Sequence, residues 1–240
     1  SASQSNALSI FGMIKGMALP ILFFPSTLLN SISTLLIPEM SEAAAKGRKG
    51  LVKSATRNIL KLTAVISFVF AAIFFVGGRE IGLLIYKSEE VGELLRALSP
   101  IVPLMYLDSV SDGILKGLDQ QGFSFRTAIT DSTLRIILIL IILPIAGLRG
   151  FIWIMYFSNL LTCALNVGRL MKVTGARLNA LNEVILPIGA ALTITLLTDM
   201  LLRLFSGINS LVYLILICLV SLPLYLLFIF LFGTVTADDV

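Results

Sequence analysis

The chain has 240 residues, of which 57% are hydrophobic and only 13% are charged, and its formal net charge is +4. With a mean hydropathy of +0.99 it carries too little polar surface to cover a soluble globule of this size. The composition therefore excludes an ordinary soluble protein. It predicts an all-α integral membrane protein, because helices satisfy their own backbone hydrogen bonds in lipid.

Seven apolar runs are long enough to cross a bilayer as helices. Charged residues and Gly, Pro or Asn residues separate them, and none shows the alternation of a barrel strand. We expect a single transmembrane domain, 1–240, built as a bundle of about seven helices. In chain order the predicted spans are 8–37, 59–77, 98–118, 125–146, 151–171, 184–204 and 210–232.

The first span contains features that a plain membrane anchor does not need. Lys15 lies inside it, and Pro20 and Pro25 each remove a backbone hydrogen bond. Lys15 has no acidic residue within reach on its own helix, so it needs a partner across the bundle, in a water-filled cavity or on an anionic substrate. We therefore predict a bent helix that lines a cavity, with Lys15 as a substrate-binding residue.

A basic segment, 41–58, follows the first span. Lys53, Arg57 and Lys61 repeat at every fourth position on one helical face, and apolar residues lie on another. We expect an amphipathic cytoplasmic loop on the inner membrane surface. General attraction to anionic lipids is the simpler interpretation, and a specific polyphosphate or lipid-headgroup site is the alternative. The basic residues of this predicted surface are Lys46, Arg48, Lys49, Lys53 and Arg57.

The distribution of basic residues predicts the orientation. Most Lys and Arg residues outside the spans follow the first, third and fifth spans, whereas acidic residues crowd the gap after the second. The positive-inside rule makes the first set of gaps cytoplasmic, so the N-terminus of the chain is predicted outside and its C-terminus inside. Because 1–7 have no charged leader region, we expect further helices upstream and interpret the chain as the C-terminal part of a longer protein.

Charged residues inside the spans are few, and an unpaired charge at the bilayer centre costs at least about 2.5 kcal/mol. Asp108, Asp112 and Lys116 follow one another at i, i+4 positions in the third span. One base in line with two acids leaves an unbalanced carboxylate. We therefore predict that Asp108 and Asp112 bind a coupling proton or another cation.

Two more i, i+4 pairs lie in later spans. Asp199 and Arg203 are close to a span end, which predicts a local ion pair. Arg135, four residues after Asp131, lies deeper and must face protein or water. A local ion pair and a substrate contact both stay open for Arg135, which is the second candidate for substrate binding.

Enzyme chemistry of the soluble kind has little support in the sequence. There is no histidine, and no glycine motif of a nucleotide-binding fold occurs. Metal-ligating residues are not grouped at the spacing of a zinc or calcium site. We expect no enzyme activity, no cofactor, no bound metal and no nucleic-acid partner.

Two strings resemble a known family. GMALPILFFPSTLLNSISTLLIPEMSEA, at 16–43 and followed by the basic segment, resembles the stage V sporulation protein B group of oligosaccharide flippases. LIYKSEEVGELLRALSPIVPLMYLDSVSDGILKGLDQQGFSFRTAI, at 84–129, is similar to the ninth-to-eleventh helix region of the same multidrug/oligosaccharidyl-lipid/polysaccharide exporter superfamily. The resemblance implies the second lobe of a MATE-like transporter of fourteen helices, whose first lobe is missing and whose eighth helix is the first span.

What the resemblance implies is a flippase of the cytoplasmic membrane. Such a protein moves a lipid-linked oligosaccharide, cell-wall precursor or polysaccharide unit by alternating access, in sporulation or cell-wall synthesis. Its partners would be membrane lipids, the lipid-linked saccharide and the missing N-terminal lobe.

Two alternatives to the flippase stay open. One is a cation-coupled multidrug exporter of the same fold, in which Asp108 and Asp112 bind the coupling ion. The other is a membrane-embedded transferase or a non-transporting scaffold. The cytoplasmic loops are basic and nearly free of acidic metal ligands, which argues against a transferase.

Overall fold

A computed structural model describes residues 11–177, 179, 184–204 and 209–231. Helices occupy almost all of these residues, and no strand occurs among them. The first three residues of the predicted first span, the last residue of the seventh and both chain ends lie outside the described residues. The helices of the described ranges are α1 Phe11–Phe23, α2 Ser26–Ala45, α3 Lys49–Tyr86, α4 Glu89–Leu98, α5 Val102–Gly117, α6 Gln121–Thr174, α7 Leu186–Arg203 and α8 Ser210–Leu231.

The chain is an all-α polytopic membrane protein, as its composition predicts. Helices α3, α6, α7 and α8 are long and apolar enough to cross a membrane, and α1 with α2 adds a broken fifth candidate in the described ranges. In the described ranges the predicted spans lie almost entirely on helical residues, although the first is divided between α1 and α2, and the fourth and fifth both lie in α6. The number seven stays a prediction, because α5 is short for a span of its own.

Two prolines shape the first span. Pro20 has no N–H for the carbonyl of Gly16, and its ring crowds that carbonyl. Just before it, Ile14–Ala18 form a π-helical turn, in which the backbone N–H of Leu19 bonds the carbonyl of Ile14. The helix then breaks at Phe24 and Pro25, between α1 and α2. The predicted bend is therefore present, and Lys15 lies within the π-helical turn.

The basic segment does not form a separate loop. Only Lys46–Arg48 are non-helical, with Gly47 at a φ of 70°, and α3 begins at Lys49 rather than at Ile59. The reason is a buried stripe of Val52, Thr56 and Ile59, which keeps one helical face packed before the apolar run starts. Lys61 is buried, so the basic face does not extend to it as the spacing predicted.

Helix α6 is a hairpin that contains the fourth and fifth predicted spans. At Gly147 the backbone turns, with a φ of 53° and a ψ of −137°. The Arg135 guanidinium reaches the Ser158 hydroxyl, and the Arg169 guanidinium reaches the Gln120 side chain, at distances from 2.6 to 3.1 Å. A straight helix would separate Arg135 from Ser158 by about 35 Å. The two arms, before and after Gly147, are therefore antiparallel neighbours.

The structure divides into two compact units. The first unit contains 26–63 and 104–177, and the second contains 11–25, 64–103 and the described residues from 179 onward. Helix α3 contributes its first part to the first unit and its remainder to the second.

In the first unit, α2 and α5 run parallel. Ser109 donates to the Asn30 side chain at 3.1 Å, and further along both helices Ser41 donates to the carbonyl of Gly117. Ile37 packs against Gly113 and Gly117, where the missing side chains let the helices approach. Because α2 belongs to the first predicted span and α5 to the third, their parallel directions agree with spans that alternate in direction.

In the second unit, α3 and α7 run parallel and α8 runs against both. Val65, Val69 and Ile73 of α3 share a buried cluster with Ala190 and Ala191 of α7, and with Tyr225 and Ile229 of α8. The Tyr225 hydroxyl donates to the carbonyl of Val65 at 3.0 Å. At the other end of the bundle, Val76 packs on Tyr213 and Ile217. The helices α3, α7 and α8 belong to the second, sixth and seventh predicted spans. Their directions agree with successive spans that cross the membrane in alternating directions.

The short helix α4 was not predicted, because its charges suggested a loop. The Ser88 hydroxyl caps it by accepting from the backbone N–H of Val91 at 3.3 Å, and Glu89 and Glu90 follow in the first turn. The spacing of the apolar residues in this segment predicts a helix, because they share one helical face. Its buried residues are Val91, Gly92, Leu94, Leu95 and Leu98.

Glycines allow α4 to pack closely against the end of α3. A Cβ built on Gly82 would lie 2.4 Å from the backbone nitrogen of Gly92, and one on Gly92 would lie 2.7 Å from the Cα of Arg79. Backbone atoms cannot yield as a flexible side chain does. Only glycine therefore allows this close approach.

We expect Gly82→Ala to lower the free energy of unfolding by about 1–3 kcal/mol, because the new methyl group overpacks a backbone contact. Thermal unfolding of the purified protein in detergent measures the effect. Gly168→Ala is the matched control: nothing lies within 4 Å of its Cβ position, so helix propensity should leave stability equal or higher. Equal loss in both variants would contradict the packing argument.

Candidate functional site

Three acidic residues of the membrane-spanning region lie in the first unit and meet different partners. Asp112 pairs with Lys116 at 2.5 Å, as their spacing predicts. Lys116 is therefore occupied, and Asp108, one turn earlier on α5, has no base in line. The Asn166 side chain of the second α6 arm donates to the Asp108 carboxylate at 2.8 Å instead. The unbalanced acid that the sequence predicts is Asp108.

Asn166 is a site residue that the sequence analysis missed. Its side chain is buried, and its amide oxygen has no hydrogen-bond partner among the described residues. An unpaired buried acceptor costs about 1–3 kcal/mol. The one available signal was an amide inside an apolar run, which by itself does not identify a partner.

Arg135 takes part in a network that closes the α6 hairpin. Its guanidinium bonds the Asp131 carboxylate at 2.6 Å and the Ser158 hydroxyl at 2.6 and 3.1 Å. Ser158 in turn donates to the other Asp131 oxygen. The predicted i, i+4 pair is confirmed, and Ser158 is the contact that only the folded hairpin supplies. Since a third of the Arg135 side chain is still exposed, at 36%, the network also has an accessible side.

The acids of these networks form one electronegative region. Asp112 and Asp131 both lie close enough to repel the negative charge of Asp108. Lys116 and Arg135 compensate these two neighbours, but no cation in the described residues pairs with Asp108 itself. Such a region can hold a proton or a small cation.

Lys15 lies in the second unit and is exposed. In the described ranges no acidic side chain forms an ion pair with it. Gly12 and Gly16 beside it have open space where a Cβ would be, so no described helix packs closely there. An ammonium group with this environment is available to an anionic ligand.

The five predicted surface cations are all exposed. Lys46, in the turn directly after α2, pairs with Glu42 on the last turn of that helix. Arg48 lies in the turn that follows, and Lys49, Lys53 and Arg57 lie on the first turns of α3.

The Asp199–Arg203 pair of the second unit is confirmed and belongs to a larger cluster. The two side chains meet at 2.6 Å, and the Tyr213 hydroxyl also donates to Asp199. Glu80 of α3 lies 3.8 Å from the Arg203 guanidinium, which stacks over the Tyr213 ring. The cluster connects α3, α7 and α8, so we interpret it as a contact that stabilises the packing of these helices.

Comparison with known proteins places this geometry in context. The family model described as Lipid II flippase MurJ matches residues 16–99. Stage V sporulation protein B of Bacillus subtilis (strain 168) is 22% identical over 165 residues, which cover 68% of this chain. The resemblance to the flippase group is confirmed. The chain spans about a third, 32%, of the length of that relative.

The family match covers only part of the candidate site. It includes α2, α3, α4 and the basic surface, whereas Lys15, Asp108 and Arg135 lie outside the matched residues. The relatives therefore support the general class of this protein, and the roles of those three residues rest on the structure and its chemistry.

We expect Arg135→Gln to destabilise the protein more than the double variant Asp131→Asn/Arg135→Gln. The single change leaves the Asp131 carboxylate uncompensated in the hairpin, with an expected cost of about 2–4 kcal/mol. A double-mutant cycle on the thermal unfolding of the purified protein measures the coupling. Additive effects would show that the two charges do not stabilise each other.

Proposed function

We propose that this chain is part of a flippase that moves a lipid-linked saccharide or cell-wall precursor across the cytoplasmic membrane. The match to the lipid II flippase model is the observation that carries the proposal, and the similarity to stage V sporulation protein B supports it. The protein acts as a transporter rather than as an enzyme. Alternating access is the proposed mechanism, with the cytoplasmic side at the basic surface and the C-terminus.

Lys15 is the proposed contact for the anionic headgroup of the substrate. Its ammonium group is exposed, and no described acid neutralises it. A lipid-linked precursor carries phosphate near the membrane surface, which a lysine binds as a point charge. Arg135 is the second proposed contact, through the accessible side of its network with Asp131 and Ser158.

The experiment is complementation of a conditional flippase mutant by the complete gene product that contains this chain. We expect Lys15→Gln to lower complementation by at least about tenfold and Lys15→Arg to retain it, because Arg keeps the charge. The control is Arg149→Gln, which removes an exposed cation from α6, next to the turn at Gly147. Normal growth with Lys15→Gln, at equal protein levels, would remove Lys15 from the mechanism.

Cation coupling through Asp108 is part of the same proposal, with Asp112 as its neighbour. Asp108 lacks a cationic partner in the described residues and has Asp112 and Asp131 as acidic neighbours, which favours the binding of a coupling proton or another cation. Asp112 already has Lys116 at 2.5 Å. Asp108 is therefore the stronger candidate.

We expect Asp108→Asn to abolish the dependence of transport on a proton or sodium gradient, whereas Asp112→Asn has a smaller effect. The assay is transport in vesicles with each gradient collapsed in turn by an ionophore. The control is Asp119→Asn, at an exposed position with a φ of 59° that Asn adopts readily. Gradient-dependent export of a drug, without flipping of a lipid-linked saccharide, would instead favour the multidrug exporter.

A further inference from the structure

The Asp108 carboxylate of α5 is held by two polar side chains of the second α6 arm. Asn166 donates to it at 2.8 Å, and the Thr162 hydroxyl also hydrogen-bonds it. Thr162 and Asn166 are four residues apart, so they lie above one another on one helical face. Both are buried, with exposed fractions of 8% and 5%. The carboxylate therefore has a fixed position against the buried face of this arm.

The fold uses only one half of the Asn166 amide. The nitrogen donates to Oδ1 of Asp108, whereas the buried amide oxygen has no hydrogen-bond partner in the described part of the chain. The nitrogen and oxygen of an amide are about 2.2 Å apart, so the Asn166 oxygen lies at most about 5 Å from that carboxylate oxygen. One cation with metal–oxygen distances of about 2.3–2.6 Å can bridge two such atoms.

The charges around Asp108 leave room for one positive charge. Asp112 pairs with Lys116 at 2.5 Å and Asp131 pairs with Arg135 at 2.6 Å, so both neighbouring carboxylates are compensated. Asp108 is the acid of this group that has no cationic partner in the described ranges. A monovalent ion would balance it. A divalent ion would leave a surplus positive charge, which is costly within the membrane.

A proton and a monovalent metal ion would both neutralise Asp108, but they differ in their effect on Asn166. A protonated carboxyl group offers one O–H donor. It can reach the Asn166 oxygen only if the amide turns over, and the amide nitrogen then loses its bond to Asp108. A metal ion coordinates the oxygen while the nitrogen keeps that bond. The metal ion therefore satisfies both halves of the amide at once.

We propose that Asp108 and Asn166 bind a monovalent metal cation of the size of Na⁺, with the carboxylate and the amide oxygen as ligands. Thr162 is the positioning residue that holds the carboxylate. Asp108 is only partly buried, so water can supply further ligands. Such an ion is exchanged during transport, unlike a resident metal cofactor. The inference rests on the proposed coupling function, for which it names the class of ion, but binding is measured without transport.

The test is the binding of radioactive Na⁺ to the complete gene product that contains this chain, purified in detergent. We expect Asp108→Asn to abolish the saturable binding that depends on this site. Asn166→Leu replaces the amide with an apolar group of similar shape. We expect it to weaken binding by at least about tenfold, as for the loss of one contact to a charged group.

The matched control is Asn159→Leu, which removes an amide from the same arm. The Asn159 nitrogen donates to the carbonyl of Met155 on its own arm, at 2.8 Å. We expect this variant to bind Na⁺ within about twofold of the unaltered protein. Equal losses in Asn159→Leu and Asn166→Leu would overturn the role of Asn166 as a ligand. Unfolding temperatures and gel filtration establish that the variants are folded.

A change of selectivity separates a ligand from a structural residue. Asn166→Asp keeps an oxygen at this position and adds a second negative charge, which suits a divalent ion. We expect Ca²⁺ to compete with Na⁺ at least about tenfold better in this variant than in the unaltered protein. Unchanged competition would contradict the proposal.

The site and the transport function can fail separately. Absence of saturable Na⁺ binding by the unaltered protein would overturn the metal site, whereas flipping driven by a proton gradient would leave the proposed function standing. Na⁺ binding that depends on Asp108 and Asn166, without flipping of a lipid-linked saccharide, would support the site and overturn the proposed function.

Discussion

The absence of water in the hydrocarbon layer is the constraint on which this structure depends. Every backbone N–H and carbonyl must find a partner inside the protein, and helices provide one without help from a neighbouring chain. Where the helix is interrupted, a substitute is present: the π-helical turn before Pro20 bonds the Ile14 carbonyl, and the turn at Gly147 lets two arms pack side by side. The same constraint applies to side chains, because a lone charge is costly at this depth.

Most membrane-embedded charges obey that constraint through a partner from a different helix or arm. Arg135 and Asp131 share Ser158, and Asp199 and Arg203 share Tyr213. Arg203 also faces Glu80. Asp108 and Lys15 differ, because neither has an oppositely charged partner in the described residues. These two exceptions are informative, since a charge that the fold does not neutralise is available to an ion or a substrate.

The two compact units differ in what they bury. The second unit contains a largely apolar core from α3, α7 and α8, and a close glycine contact between α3 and α4. The first unit contains the parallel α2 and α5, the α6 hairpin and two polar contacts, Asp131 with Arg135 and Asp108 with Asn166. Packing dominates one unit, and polar contacts between helices dominate much of the other.

The sequence by itself determined the class, the location of the helices and three local ion pairs. These follow from hydropathy over about 20 residues and from i, i+4 spacing, which are both properties of one helix. It also placed the chain near the flippases, because the string at 16–43 lies wholly inside the matched region. It did not predict that α3 begins within the basic segment, at Lys49, and it overlooked α4, because charge suggested a loop where buried apolar residues keep a helix.

Only the tertiary structure decided what the unpaired charges face. Spacing pairs Lys116 with Asp112 and leaves Asp108 without a base, but it does not show which side chain lies against Asp108. That side chain is Asn166, 58 residues further along the chain, which donates to the Asp108 carboxylate. Ser158 and Tyr213 are likewise partners from another helix or arm. The physical reason is that periodicity reports the neighbours along one helix, whereas the partners across a bundle depend on how the helices pack.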